Sequence, residues 1–127
     1  LSAGPFASPT EYHREVGTVH EHLGKALAAR KKLPDAVAAF ADAARTFADP
    51  ARGNDPLAAA RVDWNLSGVL VATGDHAAAL ERVDAFLKRK PGGAAPYERY
   101  ADLLRTLGRG GEVAAALARQ AAANPGN

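Results

Sequence analysis

Gly74 and Gly108 lie 34 residues apart, and Pro91 and Pro125 repeat the interval. A fixed period of this length constrains a chain more than local propensity does, because it implies one supersecondary unit used again. The residues around the landmarks agree. Shifted by 34, Leu66 falls on Tyr100, Ser67 on Ala101, Val69 on Leu103 and Leu70 on Leu104. A second echo competes with this period. "GDHAAALER" (74–82) and "GEVAAALAR" (111–119) share six of nine residues at a spacing of 37. The discrepancy marks "GRGG" (108–111) either as an insertion in a turn or as the effect of alanines that match in more than one register.

The unit that repeats is helical. Aromatics make up only 6% of the chain against 47% apolar residues, so the core must be largely aliphatic and alanine. Alanine is the best helix former and lets helices approach closely. "SPTE" (8–11) reads as a helix start, with Ser8 as cap, Pro9 in the first turn and Glu11 completing a capping box. From there Tyr12, Val16, Val19, Leu23 and Leu27 form one apolar stripe to about Lys31. Pro34 opens a second helix carrying Val37, Phe40, Ala44 and Phe47. The stretch 48–56 must be loop, and Asp55-Pro56 starts a third helix with Leu57, Val62, Leu66, Val69 and Leu70 inward. Gly74 ends it. The fourth helix carries Leu80, Val83, Phe86 and Leu87 and stops at "PGG" (91–93). Pro96 opens a fifth with Tyr97, Tyr100, Leu103, Leu104 and Leu107, closed by Gly108. The sixth carries Val113 and Leu117 and ends before "NPGN". No window alternates with period two, so the expected class is all-α, six helices in one domain.

Several functional classes drop out. Sixteen basic against 14 acidic residues give a net charge of +2, too mild to imply nucleic acid even with a pI near 9.2. Cysteine is absent, which removes disulfides, thiolate catalysis and zinc fingers. No stretch reaches the roughly 18 unbroken apolar residues of a membrane span, so membrane insertion is not expected. No signal peptide is visible, and no compartment is assigned. Methionine is also absent, so the segment reads as a piece of something longer, with residues 1–8 as linker. No phosphate loop or nucleophile elbow appears, and neither an enzyme nor a cofactor is expected.

Six helices with short turns pair into three hairpins, about 9–48, 55–91 and 95–125. The chain resembles tetratricopeptide repeats (TPR) over about residues 17–125. The first hairpin supplies Leu23, Gly24, Leu27, Ala36 and Phe40 of the family pattern. The second supplies Leu66, Ser67, Leu70, Gly74, Ala79 and Pro91, at a spacing of 43 from the first. The third supplies Tyr97, Tyr100, Ala101, Leu104, Gly108 and Pro125. The small residues Gly24, Ser67 and Ala101, with Ala36 and Ala79 opposite, let paired helices pack closely. The resemblance implies a right-handed α–α superhelix whose first helices line a concave groove for a partner protein or peptide. The groove would display Thr18, Glu21, His22 and Lys25, then Arg61, Trp64, Asn65 and Gly68, then Glu98, Arg99, Asp102 and Arg105. The binding residues expected from it are Glu21, Lys25, Arg61, Trp64, Asn65, Arg99, Asp102 and Arg105.

Trp64, the single tryptophan, is either an anchor for a partner or a packing residue between hairpins. Some chaperone-binding TPR domains clamp a peptide's terminal carboxylate, and Asn65 and Arg99 fall where two clamp members would be. Glu21, Lys25 and Ala95 depart from that clamp, which leaves at most a weaker site for an acidic ligand. His13, His20 and His22 cluster with Glu15 and Glu21, yet no third metal ligand is reliably supplied, so they read as surface histidines. The basic runs 30–32 and 88–90 read as complements to helix C-termini. The competing expectation is a spacer, an oligomerisation surface (and hence a homo-oligomer) or a regulatory arm of a larger protein.

Overall fold

A computed structural model describes residues 8–88 and 94–123. These residues form six α-helices and no strand: α1 (Pro9–Ala29), α2 (Leu33–Ala48), α3 (Pro56–Thr73), α4 (His76–Leu87), α5 (Ala95–Thr106) and α6 (Val113–Ala123). Of the expected linker 1–8, residues 1–7 lie outside the described residues, as do the "PGG" turn with Arg89 and Lys90, and "NPGN"; Ser8 is described and caps α1. Each helix packs chiefly on its neighbours in sequence, so the array is built by consecutive stacking. Among the described residues no helix is long and apolar enough to cross a membrane.

Local chemistry sets the helix ends. Ser8 accepts the Glu11 backbone N–H at 3.1 Å, Asp55 that of Ala58 at 3.1 Å and Asp75 that of Ala78 at 3.2 Å. The first helix of every hairpin closes alike. The N–H of Lys32 bonds the carbonyl of Leu27 (2.9 Å), that of Asp75 bonds Leu70 (3.0 Å), and that of Arg109 bonds Leu104 (2.7 Å). A left-handed residue precedes each donor: Lys31 at φ 62°, Gly74 at 84° and Gly108 at 74°. These are Schellman closures, and they fall at the 43- and 34-residue spacings of the sequence. Lys31 is the exception, because a side chain is strained where glycine is not. Lys31→Gly is expected to raise stability by about 1 kcal/mol, the lower end of the cost of a left-handed side-chain-bearing residue, read as a higher urea midpoint at unchanged m-value. A lowered midpoint would show that the lysine side chain contributes more than the strain removes.

The third turn resolves the two periods. After the closure at Gly108, residues Gly110–Glu112 form one turn of 3-10 helix, and α6 starts at Val113. Thus α6 begins 37 residues after α4 at His76, while the glycines that close the preceding helices, Gly74 and Gly108, lie 34 apart. Ala116 is buried where the echo places Ala79. The "GRGG" segment is a three-residue insertion, and each period is correct for its own helix.

The core runs along the array through Phe40, Phe47, Val62, Leu66, Val83 and Leu104, each 2% exposed or less. α1 joins it by the face of Gly24, the small residue expected to allow close packing, and not by the expected stripe of large apolar residues. Its buried residues are Gly17, Glu21 and Gly24. A Cβ on Gly24 would stand 2.9 Å from the Phe40 ring, and one on Gly17 2.8 Å from the Phe47 ring. The two rings of α2 therefore occupy the space that side chains on α1 would need. The large residues turn outward instead: Tyr12, Val19 and Leu23 are 47%, 59% and 47% exposed. Leu57, expected inward, is 83% exposed in the first turn of α3, where Ala58, Ala59 and Ala60 make the close contact. Leu117 is likewise 45% exposed, and α6 packs through Val113 and Ala116.

The loop between α2 and α3 is tied to α1. Arg14 donates from Nε to the Gly53 carbonyl (2.6 Å) and from Nη2 to that of Asn54 (3.0 Å). Gly53 permits this path, since a Cβ there would lie 2.8 Å from the Thr46 carbonyl oxygen.

Candidate functional site

Two clusters of polar side chains cross the seams between first helices. The first lies between α1 and α3. Glu21, 3% exposed, accepts from Arg61 Nε at 2.7 Å and Nη2 at 2.8 Å, and Lys25 Nζ stands 3.9 Å away. A bidentate pair of this kind is among the stronger charge-assisted contacts. The Arg61 hydrogen bond holds the Glu21 carboxyl below its ordinary range, with burial opposing it, and Glu21 in turn raises the arginine. Within the second hairpin, the buried Asp63 of α3 faces Arg82 of α4 at 3.2 Å.

The second cluster lies between α3 and α5 and is built on Ser67. This hydroxyl is fully buried, donates to the Trp64 carbonyl at 2.7 Å and accepts from Arg99 Nη1 at 2.9 Å. Arg99 Nη1 also donates to the Trp64 carbonyl at 3.3 Å. The guanidinium carbon sits 3.7 Å from the Trp64 ring centroid, a cation–π stack. The indole also packs on Phe86 of α4, with ring centroids 5.3 Å apart. Burial alone lowers the Arg99 pKa from its ordinary value. Trp64 is thus both a packing residue between hairpins and one wall of an open cleft.

That cleft has a volume of about 430 Å³. Trp64, Gly68 and Val71 line it from α3, His76 from the start of α4, and Glu98, Arg99, Asp102 and Leu103 from α5. Its walls are mixed: an aromatic ring and two aliphatic chains beside a fixed cation, two carboxylates and an imidazole. His76 Nδ1 is buried without a hydrogen-bond partner among the described residues. Such an atom is costly to leave unsatisfied, so it is available to a group entering the cleft.

The eight residues expected in a groove divide between these places. Trp64, Arg99 and Asp102 come together at the cleft. Arg105 stands beside it, 2.9 Å from Asp102 in an exposed pair. Glu21, Lys25 and Arg61 gather at the other seam and satisfy one another. Asn65 is half-buried on α3 and does not line the cleft. Lys25 and Arg99 therefore belong to separate clusters, each with its own partners. Val71, His76 and Leu103 were missed by sequence reasoning. The signal for His76 was present, since the closure at Gly74 returns the chain beside the end of α3. His13 and His20 are half-buried and His22 exposed. Among the described residues no group of three or more His, Asp or Glu gathers as metal ligands do.

Compared with models of known families, with curated proteins and with solved structures, the chain has no significant match.

Proposed function

We propose that this chain is a protein-interaction module of TPR-like build. Three hairpins stack as a right-handed superhelix and hold a peptide or helix of a partner against the first helices. The observation that carries the proposal is the cleft between α3 and α5. Its volume of about 430 Å³ suits one or two side chains of a bound segment. Trp64 and Arg99, locked to each other and to Ser67, form a pre-ordered wall, which lowers the entropy lost on binding. Further support comes from the three Schellman closures and from the buried small residues Gly24, Ser67 and Ala101 at corresponding places.

Gly68 provides the test. It lines the cleft, and a Cβ there would meet only Arg99 Nη1, at an ordinary 3.7 Å. Gly68→Leu fills the cleft and improves helix propensity by up to about 1 kcal/mol. A random peptide library is selected on the intact protein, and the enriched peptides are then titrated against Gly68→Leu. The expected result is a loss of at least tenfold in affinity with an unchanged or raised melting temperature. Enriched peptides that bind Gly68→Leu as tightly as the parent would remove the cleft from the proposal.

The alternative, a structural or oligomerising module, draws on a different observation, the exposed apolar stripe of α1.

A further inference from the structure

The stripe on α1 faces solvent, yet its spacing is that of a helix-pairing seam. Tyr12, Val16, Val19 and Leu23 follow one another at steps of four, three and four, the a/d rhythm of two-helix packing. Val16 is half-buried, and the other three are 47–59% exposed. Ionisable residues border the stripe: His13 and His20 on one side, Glu15 and His22 on the other. Glu15 is exposed and has no ion pair among the described residues.

We propose that this face pairs two copies of the chain, α1 against α1, antiparallel about a two-fold axis at the level of Gly17 and Thr18. The face is self-complementary in that register. Tyr12 meets Leu23 of the second copy and Val16 meets its Val19, and symmetry repeats both contacts, as an isologous interface requires. Long side chains face long ones at the ends, and valines face valines at the centre. The same register sets Glu15 opposite His22 of the second copy, twice, so that a carboxylate meets an imidazole N–H on the flank. Antiparallel pairing also opposes the helix dipoles, which parallel pairing would align. No residue of α1 lines the α3–α5 cleft, so pairing through this stripe leaves the cleft open. Three exposed side chains make a small patch, so the dimer is of the weak, transient class.

Sedimentation velocity of the intact chain from about 10 µM to 1 mM is expected to show a monomer–dimer equilibrium. Val19→Glu shifts it at least tenfold toward monomer while the melting temperature holds, since Val19 is already 59% exposed. Glu15→Lys weakens the dimer, and Glu15→Lys with His22→Glu restores it, a rescue that loss of folding would not produce. The chain has no cysteine, so a mixture of Tyr12→Cys and Leu23→Cys proteins reports geometry directly. Antiparallel pairing gives the mixed disulfide after oxidation. A monomer throughout the range, a dimer indifferent to Val19→Glu, or only like-with-like disulfides would each overturn the proposal.

Discussion

Replacing Phe40 by alanine is expected to lower stability by about 3–5 kcal/mol. The ring is 2% exposed and lies against the α1 backbone, where Gly24 leaves room for it. Removing it opens a void between α1 and α2 that two helix backbones cannot close, because α1 is also fixed by Phe47 at Gly17 and by Arg14 at the α2–α3 loop. Gly24→Val attacks the same contact from the other side. A Cβ at 2.9 Å from the ring forces the helices apart, which outweighs the helix propensity gained and costs about 1–3 kcal/mol. The two changes share one volume, so their effects cannot add. The double variant is expected to be more stable than the sum by at least ~1 kcal/mol, the range found for residues in direct contact. Urea denaturation of the parent, both single variants and the double closes the cycle. Additivity within about 0.5 kcal/mol would mean that ring and glycine are not one packing unit.

The same contact explains what the sequence disclosed and what it hid. Helix ends were legible because their chemistry is local. Asp55 and Asp75 cap three residues on, and Gly74 and Gly108 adopt the left-handed closure that favours glycine. The buried face of α1 was legible only at Gly24, whose small size was read as letting its partner helix pack close. Periodicity weighs large side chains, and it pointed to Tyr12, Val19 and Leu23. The face that packs is marked by Gly17 and Gly24, whose contribution is an absence that Phe47 and Phe40 fill from another helix. Such a contact becomes visible only when both helices are considered together. The cleft divides along similar lines. Trp64, Arg99 and Asp102 could be placed by repeat position, because they lie on first helices. Val71 also lies on a first helix but outside the expected groove positions, and His76 enters through the closure at Gly74, a signal that becomes useful only once the end of α3 is known to wall the cleft. Ser67 was legible as a small residue but not as the hydrogen-bond centre that fixes Arg99.

Arg61→Met is expected to destabilise the protein by about 1–3 kcal/mol at neutral pH and by far less in acid. Removing one member of a fully buried pair costs about 3–5 kcal/mol. Here the arginine side chain is 53% exposed and Lys25 remains 3.9 Å from the carboxylate, so the figure must be discounted. The sign of the pH dependence follows from Glu21. Its folded-state pKa lies below the ordinary carboxylate value, because Arg61 stabilises the charged form. The pair's contribution is therefore complete above the unfolded pKa of about 4.3 and is lost as pH falls through the lower folded value. In Arg61→Met the carboxylate keeps its burial and loses its main partner, so its pKa rises and protonation relieves the variant sooner. The stability difference between parent and variant should thus shrink as the pH is taken from 7 toward 3. Glu21→Gln separates this from a packing effect. In its background the Arg61→Met difference should be smaller and vary far less with pH, because the carboxylate that Arg61 bonds is gone and only the weaker attraction to Asp55 remains. A difference that stays constant with pH in the Glu21 background would show that Arg61 acts through its aliphatic stem, covering α3, and that the carboxylate is held by other means.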